Sequence, residues 1–318
     1  MSSGLTDATK RIVWAMLAMG IASAHAASDP PLDVTALDRW WNFDQPVASE
    51  AIFRLELAKL PADSGARLEL LTQIARAQGL QRRFDEATAT LDEVQRELAG
   101  HAQRVSVRYL LERGRVFNSS RQPERAVPLF RDALDQARVA KEDFLAIDAA
   151  HMLGIASPPA ERLDWDLRAV EMTERTTDVR SKRWLASLYN NIGWAYHDRG
   201  DDALALEYFQ KALPAWEARG DANAIRAARW SIARAMRSLG RYDEALAIQH
   251  ALLAENERSG TVDGFVFEEL GELSLARGDA EAARPWFARA YAALSADASL
   301  SADEPARLER LRQLGNAP

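Results

Sequence analysis

A chain of 318 residues, 47% hydrophobic and 27% charged, is long enough for one large domain or two ordinary ones and too apolar to be disordered over most of its length. Its net charge of −7 leaves no excess of positive charge to neutralise a phosphate backbone, which counts against nucleic acid as a partner. The absence of cysteine removes disulfides, thiolate catalysis, zinc–thiolate sites and a lipoprotein anchor together.

At the N-terminus, Lys10 and Arg11 precede the apolar run from Ile12 to Ala22, and Ala24-His25-Ala26 follows as a small-x-small cleavage pattern. Residues 1–26 therefore read as a secretory signal peptide, with an uncleaved anchor as the alternative. The Arg- and Ala-rich composition suggests a bacterial gene, so the expected location is periplasmic or secreted. No later stretch has the roughly 18 consecutive apolar residues that a membrane span needs, so no stable span is expected after cleavage. Residues 27–46 hold an aromatic cluster, Trp40, Trp41 and Phe43, and a helix is predicted from about Val47 to Leu60. These rings are expected to cover the element that follows; the alternative is an arm that docks a partner.

From residue 68 a pattern repeats. Its fullest copy is Tyr189, Ile192, Gly193 and Tyr196, then Ala205, Phe209 and Ala212. The first four follow i, i+3, i+4, i+7 spacing and form one apolar helical stripe, and Gly193 lets a second helix approach closely. The RGDD between the two halves is turn chemistry, with Gly200 ending one helix and Asp201 or Asp202 expected to cap the next. Two further copies are strong. One is Gly114, Phe117, Ala126, Phe130 and Ala133; the other is Phe267, Leu270, Gly271, Ala283, Phe287 and Ala290. Weaker copies fall at Leu71, Ile74, Ala75, Ala87 and Leu91, near Leu153 and Gly154, and at Ile232, Ala233, Met236 and Ala245. A single such hairpin cannot bury both faces, so neighbours must stack. At the far end Asp303-Glu304-Pro305 starts a last helix, whose single apolar stripe reads as a solubilising cap over residues 301–318.

These offsets, an aromatic, then Leu-Gly or Ile-Gly, then Tyr, then Ala-x-x-x-Phe, resemble the tetratricopeptide repeat. The resemblance implies an all-α solenoid of antiparallel helix pairs wound as a right-handed superhelix, here over residues 47–300 with about six repeats. The core small residues recur every 38 to 40 positions, which resembles the longer-helix variants of the family.

Motifs for chemistry are missing: there is no HExxH, no GxSxG, no GxxxxGK[ST] and no GxGxxG. No catalytic residue, metal or cofactor is expected. In the tetratricopeptide family the first helix of each pair lines a concave groove that binds an extended peptide or a partner helix. Counted from the core glycine, the groove positions lie three residues before, one after and four after. They fall on Asn190, Trp194 and His197; on Trp230, Arg234 and Arg237; on Glu268 and Glu272; and upstream on Arg115 and His151. Aromatic plates with hydrogen-bond donors suit peptide recognition, and Arg234 and Arg237 suit an acidic or carboxylate-bearing one. The family's carboxylate-clamping variant uses Lys and Asn on three successive first helices. Asn191 falls at one of its Asn positions, but the companion positions hold His151, Ile155, Ala227 and Ser231, so clamping of chaperone tails is not expected. The resemblance thus implies a non-catalytic scaffold or peptide-binding protein of the bacterial envelope. The alternatives are a sensor or regulatory subunit of an envelope signalling system, or an enzyme with an unrecognised site.

Overall fold

The computed structural model describes residues 32–316; the expected signal peptide, residues 1–26, lies outside them. Among the described residues every regular element is helical. The chain divides into two compact units, the first ending at Pro159 and the second beginning at Ala160.

Unit 1 comprises α1 (Val34–Trp40), α2 (Pro46–Leu57), α3 (Gly65–Leu80), α4 (Phe84–Glu97), α5 (Gln103–Ser119), α6 (Pro123–Ala140) and α7 (Asp143–Ala156). Pro46 begins α2 with its φ already set for a helix, and the Ser64 hydroxyl accepts from the Arg67 amide to start α3. Pairs α3/α4 and α5/α6 pack as helical hairpins, and α3 also packs on α5. The aromatic cluster covers α3. Trp41 stacks on Phe43 at 4.5 Å, meets the fully buried Phe53 edge-on at 4.9 Å, and donates from Nε1 to Gln73 Oε1 at 3.1 Å. The Arg76 guanidinium lies over both stacked rings, at 5.7 and 5.1 Å.

The facing sides of these first helices hold a sealed ionic network. Glu69 of α3 has a side chain only 2% exposed, and its Oε2 receives Arg108 Nε at 2.7 Å and meets Arg104 Nε at 3.0 Å. Farther along, Arg115 of α5 bridges Glu112, at 2.6 Å, and Asp148 of α7.

Unit 2 contains α8 (Pro159–Arg175), apart from Pro159, then a short 3-10 segment Val179–Trp184, α9 (Leu185–Asp198), α10 (Asp202–Arg219), α11 (Ala222–Ser238) and α12 (Tyr242–Ser259). It continues with α13 (Gly264–Ala276), α14 (Ala280–Leu294), α15 (Ala298–Asp303) and α16 (Pro305–Asn316). Helices α9/α10, α11/α12 and α13/α14 pair and stack as a solenoid. In the α9/α10 and α13/α14 hairpins the wedge is a fully buried phenylalanine against a glycine, whereas in α11/α12 the buried Gln249 stands in its place. A Cβ on Gly193 would lie 2.5 Å from two ring atoms of Phe209, and one on Gly271 would lie 2.8 Å from Phe287. The last core layer is completed by α16, which inserts Leu308 and Leu311 beside Phe287 and Leu294.

The RGDD turn differs in one respect from its prediction. Gly200 is left-handed, with φ +80°, and ends α9 as expected. Neither aspartate, however, caps α10 through its side chain. Asp202 Oδ1 instead accepts from His197 Nδ1 at 2.6 Å, a bond to the ring at the end of the preceding helix that outcompetes the local amide. Side-chain capping is found at other starts: Asp221, Asp263 and Asp279 each accept from amides two or three residues on.

Candidate partner-binding cleft

Successive first helices of unit 2 put their i, i+3, i+4 faces side by side, and these faces border a cavity of about 470 Å³. Its floor is aromatic. Trp194 of α9 packs edge-on against buried Phe209 at 5.1 Å, and its ring centroid is 6.0 Å from that of Trp230 on α11, at an interplanar angle of 32°. Trp230 is fixed across the repeat boundary, because its Nε1 donates to the Phe265 carbonyl at 3.1 Å and its ring meets the Phe265 ring at 6.3 Å. The two tryptophans therefore fill the gaps between repeats and also face the cavity.

The remaining walls are charged. Arg237 of α11 donates to Glu269 of α13 through Nε at 2.5 Å and a terminal nitrogen at 3.3 Å, and lies 4.0 Å from Glu272. Burial raises the Glu269 carboxyl above the usual range, and Arg237 opposes that shift. The cap helix closes the far wall. Arg307 grips both oxygens of Glu268, at 2.6 to 3.1 Å, and also Glu304 at 2.9 Å; Arg310 reaches Glu272 at 2.5 Å. Arg307 also lies over the Phe265 ring at 5.0 Å. Arg234 is half-buried in the same cavity and makes no hydrogen bond or ion pair among the described residues.

Residues 184–250 match the model of the tetratricopeptide repeat. Among solved structures, the chain is similar to the apo form of RapI, at 12% identity over 88% of this chain and 81% of that one, with a TM-score of 0.63. It is also similar to NprR in complex with its cognate peptide NprX, at 14% identity over 90% and 84% of the two chains and a TM-score of 0.58. Aspartyl phosphate phosphatase F from Bacillus subtilis gives 14% identity, 100% and 82% coverage, and a TM-score of 0.57. No curated protein sequence matches the chain. The fold is tetratricopeptide-like. At identities this low the likeness is one of fold alone.

Within this tetratricopeptide-like frame, six of the positions predicted from helical offsets converge on one cavity: Trp194, Trp230, Arg234, Arg237, Glu268 and Glu272. His197 stands beside them, its ring edge-on to Trp194 at 5.4 Å and its Nδ1 committed to Asp202. Arg115 and His151 belong to unit 1, in the network with Glu112 and Asp148. Burial pushes the His151 imidazole down to about 4, opposed by Asp148 and aided by Arg115 and Arg76, so the ring is neutral at neutral pH. Four residues of the cavity were not predicted: Glu269, Glu304, Arg307 and Arg310. A signal for two of them exists, since Arg307 and Arg310 share one face of the cap helix by i, i+3 spacing. Among the described residues no group of three or more His, Asp or Glu is placed to hold a metal, and no helix is long and apolar enough to cross a membrane.

Asn190 is half-buried on α9, and its neighbour Asn191 hydrogen-bonds Asp166 of α8. Asp166 is 2% exposed, and its Oδ1 has no hydrogen-bond partner among the described residues. Burial pushes its carboxyl up from 3.8 to about 7, against the opposing effects of Asn191 and Arg162. Between those values the folded chain keeps a proton that the unfolded chain has released, so stability falls as pH rises from about 4 to about 7 and stays lowered above. Asp166→Asn is expected to raise the unfolding free energy by about 2–4 kcal/mol at pH 8.5 and to change it little at pH 4. Urea unfolding at the two pH values checks this; equal effects at both would refute it.

Proposed function

We propose that the protein is a non-catalytic binding module of the bacterial cell envelope that holds an extended segment of a partner protein or peptide in the unit 2 cleft. The observation that carries this reading is Arg234, a half-buried guanidinium with no partner among the described residues, beside two aromatic plates in a cavity of about 470 Å³. A half-buried cation next to fixed aromatic surface is the composition of an interaction hot spot, and a cavity of that size is ordinary for a ligand site. NprR, which shares the fold, was solved with a peptide bound. The envelope assignment rests on the signal-like residues Lys10 to Ala26, and the preference for an acidic partner on Arg234.

Affinity capture from bacterial envelope extract tests the reading. The tagged wild-type chain should retain a partner that the Trp194→Ala plus Arg234→Ala variant loses by about tenfold or more, with circular dichroism unchanged. Equal recovery by both would eliminate the cleft as the binding site.

A further inference from the structure

The four arginines and four glutamates that border the cleft balance in charge, yet one of them stands without a partner. Arg237 is engaged by Glu269, Arg310 by Glu272, and Arg307 by Glu268 and Glu304 together, whereas Arg234 has no counter-ion among the described residues. A guanidinium in that position recruits an anion, and its planar fork favours a carboxylate or a phosphate. Phosphate suits this cavity poorly. Its charge of roughly −1.5 to −2 would face Glu268, Glu272 and Glu304, which border the same space, while a single carboxylate offsets Arg234 alone.

The aromatic floor adds a spacing. Trp230 stands four residues before Arg234 on α11, and residues four apart on a helix face have Cβ atoms about 5–6 Å apart. In an extended peptide, side chains two residues apart leave the same face about 7 Å apart. A C-terminal carboxylate lies on the backbone of its own residue and does not present the two-residue, same-face spacing of an acidic side chain. Adjacent side chains point to opposite faces.

Resting on the reading of the cleft as a peptide groove, we infer that it recognises an internal acidic–x–aromatic or acidic–x–large-aliphatic pattern in an extended segment. The acidic side chain pairs with Arg234, and the apolar one seats on Trp194 and Trp230. A second acidic residue toward α13 meets Glu268 and Glu272 and is disfavoured.

Selection from a library of randomised hexapeptides, acetylated and amidated, on the immobilised full-length chain tests this. The expected enrichment is Asp or Glu two positions from Trp, Phe or Leu. A representative peptide should bind about tenfold or more weakly to Arg234→Gln, and Arg234→Glu should shift the enriched charge to Lys or Arg. Thermal unfolding of both variants verifies that they are folded. Enrichment of apolar peptides without the acid or with it at another spacing, or affinity unchanged in Arg234→Gln, overturns the inference and leaves the peptide groove standing. Enrichment that appears only with peptides ending in a free carboxylate does the same. If the wild-type chain enriches nothing, the inference and the groove reading fall together.

Discussion

Replacing Gly193 with alanine is expected to lower the stability of unit 2 by about 2 kcal/mol, even though alanine is the better helix former by about 1 kcal/mol. The added methyl would lie 2.5 Å from two ring atoms of Phe209, a side chain with no exposure, so either the ring leaves its rotamer or α9 lifts from α10. For a unit of about 150 residues this corresponds to a fall in Tm of roughly 4–8 °C. Phe209→Leu, destabilising alone, should cost less in the Gly193→Ala background, because the smaller side chain makes room for the methyl. A double-mutant cycle followed by differential scanning calorimetry measures that coupling, and strict additivity would refute the clash. Trp194 is the next residue on the same helix, so any lift of α9 also disturbs the cleft floor.

Glu69→Ala should have the largest effect in unit 1, a loss of about 3–5 kcal/mol. The side chains of Glu69 and Arg108 are 2% and 6% exposed, and Arg104 shares the same carboxylate oxygen at 3.0 Å. Removing the carboxylate takes from Arg104 and Arg108 the buried acceptor they share, leaving Arg104 with Glu142 at 4.0 Å, and neither charge can be given up because arginine stays protonated. Replacing Glu69, Arg104 and Arg108 together with leucine or methionine should recover most of the loss, since a well-packed apolar cluster is about as stable as a buried ion pair. Urea denaturation of the two variants separates these expectations; a triple variant no more stable than the single one would show that the network specifies the helix register.

Residue spacing made the hairpins legible because the contact that defines them is local. Gly193 and Phe209 are 16 residues apart, and the same offset recurs at Gly114 and Phe130 and at Gly271 and Phe287, so glycine and ring can be matched without knowing the rest of the fold. The convergence of Trp230, Arg234 and Arg237 was legible for a similar reason, since one helix face carries all three. The cap was not. Its docking depends on Gly315, where a Cβ would come within 2.7 Å of the Ala288 backbone, and on Leu308 and Leu311 entering the last core layer. That register is a tertiary outcome with no repeat to copy it from, so Arg307 and Arg310 could be seen as surface charges but not as cleft walls. In unit 1 the same offsets, which give Arg115 and His151 as groove positions, also fall on Thr72 and Leu111. There Thr72 and Leu111 are fully buried and Arg115 is taken up in ion pairs, an inward packing that offsets alone do not reveal.

The C-terminal helix does more than finish the stack: it balances the charge of the cleft. With α16 in place, Arg307 and Arg310 pair with acidic residues of α13, and the four arginines of the cavity match its four glutamates. If α16 frays, both arginines leave together with Glu304. Arg234 and Arg237 then face Glu268, Glu269 and Glu272, so two positive charges oppose three negative ones and the balanced cavity becomes acidic. On the proposed reading of the cleft, affinity for an acidic segment is tied to the docking of this helix, and a ligand that draws on that field also favours the docked cap.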